Sequence, residues 1–207
     1  MAASKGFPIL FIASSRIGDA VLASGLVKRL HDEIPNARFT IVAGPVSAPL
    51  FVDTPGLDRL IVMEKSKGGG HWFKLWSQVR GRNWGLIVDR RGSGIGRFLS
   101  AKRRAAHRTH PGEPVHKVIE AARLLKLADD PPAPFLFTSP ETEAKADALL
   151  GAGTGPILAL APAANWMGKT WPVRSIQRSR ARDLRRGSAA RRSSAPPRIS
   201  TRPFSNG

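Results

Sequence analysis

Apolar runs of strand length alternate with segments of helical periodicity over the first 110 residues. The strand candidates lie at residues 7–13, 38–43, 57–63 and 84–89. Near-continuous apolar runs of this kind are typical of parallel strands that are covered on both faces. The helix candidates between them lie at residues 18–33, 47–52 and 72–80. This order predicts an α/β protein built on a doubly wound parallel sheet.

The first strand-to-helix connection combines polar side chains with a single acid. It reads Ser14-Ser15-Arg16-Ile17-Gly18-Asp19, and apolar residues with helical spacing follow it as far as Ile34. An acid in the first turn of a helix is stabilised by the positive end of the helix dipole. Open α/β sheets also bind ligands at the carboxyl ends of their strands. Asp19 is therefore either a helix-stabilising acid or a carboxylate that faces a ligand.

A glycine-rich loop follows the fourth strand candidate. It reads Arg90-Arg91-Gly92-Ser93-Gly94-Ile95-Gly96, a spacing that departs from the dinucleotide fingerprint and follows the wrong strand for it. One interpretation is a plain loop that turns into a helix at residues 97–102. Another is a site in which Arg90 and Arg91 face an anionic ligand. A third is a non-catalytic nucleotide-binding domain that uses the glycine loop at residues 92–96. NAD titration tests this interpretation, and we expect no binding.

The next part of the chain predicts a linker and the start of a second domain. An amphipathic helix is expected at residues 114–127, followed by a proline-rich break at 129–134. Ser139 and Pro140 form a helix start, and residues 156–161 form a new buried strand. We therefore expect one domain at residues 1–128, a linker and helix at 129–155, and the beginning of a second domain at 156–172.

The net charge of +18 is divided between two very different regions. Residues 173–207 hold ten arginines and one acid, which is half of the excess. The remaining, moderately basic region suits an anionic substrate or a membrane surface. Cysteine is absent, which excludes disulfides and thiolate chemistry, and no apolar stretch reaches the length of a membrane span. We expect a cytoplasmic protein.

Four motifs follow one another along the chain. They are residues 9–12 followed by Ser14-Ser15-x-x-Gly18-Asp19, residues 35–41 followed by Gly44-Pro45, residues 84–89 followed by Arg91-Gly92-Ser93, and residues 160–165 followed by Lys169-Thr170-Trp171-Pro172. Taken together they resemble glycosyltransferase family 9, the heptosyltransferase type, which transfers heptose from ADP-heptose to the lipopolysaccharide core. The resemblance covers residues 7–172. It implies two facing Rossmann-like domains (the GT-B arrangement), with the acceptor on the N-terminal one and the nucleotide sugar on the C-terminal one.

The resemblance also implies roles for individual residues. Asp19 would be the general base that takes a proton from an acceptor hydroxyl, which then attacks the anomeric carbon with inversion. Lys169 would neutralise charge on the donor diphosphate, and Asn165 in the same loop would donate to a phosphate oxygen. These roles agree with the chemistry, because sugar transfer from a diphosphate needs a base at the nucleophile and positive charge at the leaving group.

The acceptor side of the predicted site comprises Ser14, Ser15, Gly18, Arg90 and Arg91. No metal and no cofactor are expected. The implied partners are a nucleotide-sugar donor such as ADP-heptose, an anionic glycolipid acceptor and the inner face of the inner membrane, which the protein would contact peripherally. Nucleic acid is not an expected partner. The alternative is a basic RNA- or membrane-binding protein that acts through its arginine-rich end.

The pattern stops after Pro172. Residues 173–207 are dominated by Arg, Ser, Ala and Pro without lasting periodicity, a composition typical of a disordered basic tail. It is also what a GC-rich gene gives when it is read in a shifted frame. We therefore expect a frameshift product from about residue 174, an aborted second Rossmann-like domain, and little or no transferase activity.

Overall fold

The computed structural model describes residues 6–64, 67–106 and 115–151, together with residues 168, 170–172 and 174–178. The strands are β1 (Phe7–Ile12), β2 (Ala37–Ala43), β3 (Leu57–Val62), β4 (Trp84–Asp89) and β5 (Ala101–Ala106). The helices are α1 (Ile17–Glu33), α2 (Gly70–Val79), α3 (Lys117–Ala122) and α4 (Pro140–Leu150), with 3-10 turns at Ala48–Phe51, Lys67–Gly69, Ile95–Phe98 and Arg123–Leu125. The chain divides into two compact units, Met1–Ala146 and Asp147–Gly207.

The five strands form one parallel sheet in the order β3-β2-β1-β4-β5. The central strand β1 pairs with β2 on one side and with β4 on the other, so that Ile9 lies opposite both Phe39 and Leu86. The prediction of a doubly wound, Rossmann-like sheet is confirmed. The four strand candidates of the sequence correspond to β1 to β4 within one residue at each end.

The two faces of the sheet are buried against different elements. Along β1, Ile9 and Phe11 belong to the apolar cluster that includes α1, whereas Leu10 and Ile12 belong to the cluster that includes α2. All four of these side chains are fully buried. Because successive side chains of a strand point to opposite faces, a strand covered on both sides must be apolar at every position, as the sequence of β1 is.

The fifth strand corrects one interpretation of the glycine-rich loop, in which a helix followed it at residues 97–102. The structure has a 3-10 turn at Ile95–Phe98 and then β5, which pairs in parallel with β4 along its whole length. The run of alanine, lysine and arginine in β5 favours a helix by propensity, but pairing with the free edge of β4 overrides it. Lys and Arg on an edge strand also discourage further pairing.

The segment predicted as a linker packs against α1. The backbone N–H of Phe135 donates to Ser24 Oγ (3.0 Å), and the Arg29 guanidinium pairs with Asp130 (2.8 Å). Gly25 lies so close to the chain at Ala133 that a methyl group there would overlap its carbonyl oxygen. The residues up to Ala146 thus belong to the same compact unit as the sheet.

The predicted helix start at Ser139 is present in the structure. Ser139 Oγ accepts a hydrogen bond from the backbone N–H of Thr142 (3.2 Å), as an N-cap does. Asp53 accepts from the Thr142 hydroxyl (2.6 Å) and from the Ser139 N–H (3.1 Å). These hydrogen bonds lower the pKa of Asp53 because they favour its charged form, and the bond from Thr142 has the largest effect.

Two predicted elements of the C-terminal region differ from expectation or lie outside the described residues. The helix expected at residues 114–127 is shorter, since α3 ends at Ala122 and a 3-10 turn follows it. The strand expected at 156–161 lies outside the described residues. Residues 174–178, at the start of the predicted basic tail, are helical. Among the helices that the structure describes, none has the length and apolar character needed to span a membrane.

Gly25 and Gly18 provide a matched pair for testing the packing of α1. We expect Gly25→Ala to destabilise the fold by about 1–3 kcal/mol, because the new methyl group overlaps the chain at Ala133. Gly18→Ala should be neutral or stabilising by up to about 1 kcal/mol, since nothing lies within 4 Å of its added carbon and alanine favours a helix. Urea unfolding measures both changes, and a Gly25→Ala protein as stable as Gly18→Ala would contradict this packing.

Candidate functional site

The strand order makes the carboxyl end of β1 the switch point of the sheet, where a ligand-binding crevice is expected. Its two neighbours, β2 and β4, are reached by chain that winds in opposite directions from β1. In open α/β sheets the ligand binds outside the carboxyl ends of the strands at this switch point. The loops that follow β1 and β4 border the crevice, and they carry the predicted acceptor residues Ser14–Asp19 and Arg90–Arg91. Sequence reasoning thus placed both loops at one edge of the sheet.

The loop after β1 is held in place by the loop after β2. The buried hydroxyl of Ser47 donates to the carbonyl oxygen of Ser14 (2.9 Å) and accepts from the N–H of Gly44 (3.2 Å). A side chain at Gly44 would approach Ser15 Cβ to 3.0 Å, so a glycine allows the two loops to lie this close. Ser14 and Ser15 are half-buried in this arrangement.

Asp19 is the third residue of α1 and lies in its first turn. Its side chain is partly exposed, and its charge attracts the Arg90 guanidinium from the neighbouring loop. Gly18, directly before it, faces open space. The carboxylate is therefore accessible from solvent, as a group that receives a proton from a bound hydroxyl requires.

Asp89, the last residue of β4, organises the other loop from beneath. Its carboxylate is 2% exposed. It accepts hydrogen bonds from the Arg91 N–H (3.0 Å) and from the Ser93 hydroxyl (2.7 Å). Two charge-assisted hydrogen bonds fix the backbone just after the strand. They thereby fix the positions from which the Arg90 and Arg91 side chains extend.

Arg90 extends the pairing of β1 and β4 into the crevice. Its N–H donates to the carbonyl oxygen of Ile12 (3.0 Å). Within the guanidinium, the buried Nε and Nη1 atoms have no hydrogen-bond partner among the described residues. Burial lowers the pKa of Arg90, and attraction to Glu120 and Asp19 offsets part of that effect. A buried cation with unused donors is costly unless a ligand supplies acceptors.

Arg91 is constrained in a different way. Its guanidinium lies over the Trp72 ring, 5.0 Å from the ring centre, and its buried Nη1 has no hydrogen-bond partner among the described residues. Burial lowers the pKa of Arg91, partly offset by the charge of Asp89. Stacking on an indole fixes the orientation of a guanidinium while leaving its edge free to donate.

The structure brings together a carboxylate and two arginines with unused donors at one strand edge. This combination can bind a phosphate or carboxylate group of a ligand and accept a proton from a nearby hydroxyl. The predicted donor-side residues Asn165 and Lys169 lie outside the described residues. No group of three or more His, Asp and Glu within the described part of the chain could hold a metal ion.

Sequence reasoning did not identify Asp89, Ser47 or Trp72 as contributors to the site. Asp89 carried a usable signal, because a lone acid that ends an otherwise apolar strand is either buried with partners or at the carboxyl edge of the sheet, and here it is both. Ser47 had a weaker signal in its position after Gly44-Pro45. Nothing in the sequence pairs Trp72 with Arg91, which are brought together only by the packing of α2 on the sheet.

The fold matches solved glycosyltransferase structures. A glycosyl transferase of family 9 from Veillonella parvula aligns with a TM-score of 0.68 at 15% identity, over 90% of this chain and 63% of that one. The E. coli heptosyltransferase WaaC with ADP aligns at 0.54 and 14% identity, over 80% of this chain and 61% of that one. E. coli ADP-heptose lps heptosyltransferase II gives 0.52 and 18%, over 72% and 52%.

These likenesses define the class of the fold as the one that heptosyltransferases and other family 9 glycosyltransferases share. The chain spans somewhat less than two thirds of the length of those proteins. No protein-family sequence model matches the chain. No curated protein sequence matches it either.

The role of Asp89 can be tested directly. We expect Asp89→Ala to accelerate hydrogen exchange at the amides of residues 91–95, because it removes the acceptor of the Arg91 N–H and the Ser93 hydroxyl. Mass spectrometry with deuterium labelling measures this exchange. Asp58→Ala is a control, since it removes a carboxylate that pairs with Arg82 elsewhere on the sheet. Equal exchange of residues 91–95 in both variants would contradict the organising role of Asp89.

Proposed function

We propose that this chain carries the acceptor-binding part of an inverting glycosyltransferase. The observation that supports this most strongly is the pair of unpartnered, buried nitrogens of Arg90 beside the charge of Asp19, at the switch point of the sheet. The arginine would bind an anionic group of the acceptor. The carboxylate would then lie where an acceptor hydroxyl is held.

In the proposed reaction Asp19 accepts the proton of the acceptor hydroxyl. The oxygen forms a bond to the anomeric carbon of a nucleotide diphosphate sugar from the face opposite the diphosphate. The bond between that carbon and the diphosphate oxygen breaks, and its electron pair leaves with the nucleoside diphosphate. Donors aimed at charge that develops in the transition state supply a large share of such catalysis, and Asn165 and Lys169 are proposed for the leaving group.

The donor and acceptor follow from the resemblance and from the charge of the crevice. Similar structures were solved with ADP and with ADP-2-deoxy-2-fluoro heptose, which supports ADP-heptose or a related nucleotide sugar as the donor. The two arginines support an anionic acceptor, and we propose a lipopolysaccharide core glycolipid at the inner face of the inner membrane. The composition of residues 173–207 supports little or no transfer by this chain, which remains a prediction.

Acceptor binding tests the role of Arg90 whether or not the chain turns over. The probe is a delipidated, phosphorylated lipopolysaccharide core fragment, titrated by calorimetry. We expect Arg90→Gln to weaken binding about tenfold or more, since hydrogen bonds to charged groups contribute about 1.5–3 kcal/mol. Arg59→Gln, an exposed arginine of β3, should bind within about twofold of the wild type by the same criterion. An Arg90→Gln protein that binds like the wild type would refute the proposed acceptor site.

Asp19→Asn separates catalysis from binding. We expect it to leave the affinity for the core fragment within about threefold, and to lower any measurable turnover of ADP-heptose by about 100-fold or more, the contribution of a general base. Asp32→Asn, on the same helix, is the control that should keep the wild-type rate. A wild-type rate in Asp19→Asn contradicts the assignment of the base. A wild-type turnover of about 1 per second or faster contradicts the prediction of low activity.

A further inference from the structure

Three aromatic side chains form a patch on the face of the sheet that α2 covers. Phe73 is 71% exposed and Phe98 is 75% exposed. The rings of Phe73 and Trp76 lie against each other with centres 5.7 Å apart. The Trp76 indole N–H donates to the carbonyl oxygen of Phe98 (3.1 Å), which ties the 3-10 turn to α2. The exposed Phe73 ring thus lies against the indole, and the same indole is bonded to the backbone of the exposed Phe98.

Positive charge surrounds this patch. The guanidinium of Arg80 lies 4.8 Å from the centre of the Trp76 ring. Lys74 and Arg97, which neighbour Phe73 and Phe98 in the sequence, are exposed. Residues 65–112 contain twelve Lys and Arg and a single acid, Asp89. Asp89 is buried, with its carboxylate engaged by its own loop. Among the described residues at this patch, the exposed charges of Lys74, Arg80 and Arg97 are therefore all positive.

The patch is continuous with the candidate site. Trp72, one residue before Phe73, lies under the Arg91 guanidinium that borders the crevice. A partner that binds to this patch would therefore lie close to the loop that follows β4. We refer to Phe73, Trp76 and Phe98, with Lys74, Arg80 and Arg97 around them, as the aromatic–basic face.

We propose that the aromatic–basic face docks this protein on an anionic lipid bilayer and so presents a lipid-anchored acceptor to the crevice. Exposed Phe and Trp insert at the boundary between headgroups and acyl chains, and nearby Lys and Arg add attraction to anionic headgroups. The Phe73 and Trp76 rings lie against each other and present one contiguous apolar surface, which favours the lipid boundary over stacking on single bases. The identity of the acceptor rests on the proposed function, whereas lipid docking does not.

Vesicle flotation with the full chain tests the docking without donor or acceptor. The vesicles are phosphatidylglycerol mixed with phosphatidylcholine, compared with phosphatidylcholine alone. We expect Phe73→Ser combined with Phe98→Ser to lower partitioning about tenfold or more, because each phenylalanine removes apolar surface from water when it inserts. Lys74→Gln combined with Arg97→Gln should lower it about tenfold at about 0.1 M salt and much less at about 0.5 M.

Matched controls separate the face from the arginine-rich residues 173–207, which every variant keeps. Val52→Ser removes an exposed apolar side chain after the 3-10 turn that packs on the opposite face of the sheet, and should not change partitioning. Lys28→Gln with Lys145→Gln removes two exposed charges elsewhere and should act weakly. Phe73→Trp should keep or strengthen docking, which shows that the serine variant failed through lost apolar contact.

Several outcomes would overturn the proposal. One is equal partitioning of the wild type and the Phe73→Ser, Phe98→Ser variant. Another is equal partitioning into neutral and anionic vesicles. A third is loss of vesicle binding when single-stranded RNA is added, while Lys74→Gln with Arg97→Gln still weakens vesicle binding as strongly as before. That result would make the face a nucleic-acid surface. Acceptor-fragment binding by the docking variants should remain that of the wild type, so failure of docking and failure of the proposed function are distinguished.

Discussion

The position of β1 between β2 and β4 is the constraint on which the rest of the protein depends. β1 pairs on both edges and is covered on both faces, so it is apolar at every position, and its last four side chains are fully buried. The same pairing reverses the direction of winding at β1. Two loops that are about 70 residues apart in sequence therefore end side by side, with the Arg90 N–H bonded to Ile12 at the end of β1. The core and the site are consequences of one arrangement.

The crevice is stabilised as a scaffold and left unsatisfied as a binding surface. Ser47 and Asp89 supply buried hydrogen bonds that fix the backbone of the two loops. The guanidinium groups above them keep buried donors without partners among the described residues. Buried polar groups of this kind oppose folding, so the chain tolerates a local cost at the point where an anionic ligand would remove it. This contrast between a satisfied backbone and unsatisfied side chains is what distinguishes the crevice from an ordinary loop pair.

The sequence predicted the elements whose signal is local and missed those that depend on pairing. The strands β1 to β4 follow from their apolar runs, and the position of Asp19 follows from its place after β1. β5 could not be predicted, because its alanines and basic residues favour a helix and only the open edge of β4 makes it a strand. The Arg104 side chain of β5 donates to the backbone carbonyl oxygens of Gly96 (2.8 Å) and Leu99 (2.6 Å). The stacking of Arg91 on Trp72 was unpredictable for the same reason, since two distant segments meet only after packing.

Charge and topology together explain why the single acid of residues 65–112 is buried. An exposed carboxylate between Arg80 and Arg97 would neutralise part of a cationic surface, whereas a buried one cannot face an anionic partner. The Asp89 carboxylate instead accepts hydrogen bonds from the Arg91 N–H and the Ser93 hydroxyl. These bonds fix the loop that carries Arg90 and Arg91. The only acid of that region thus strengthens the positive side of the site by positioning it. On the β1 side the opposite holds, because Asp19 is partly exposed and its charge is available to a ligand. The two loops thereby give the switch point of the sheet a basic side, with Arg90 and Arg91, and an acidic side, with Asp19.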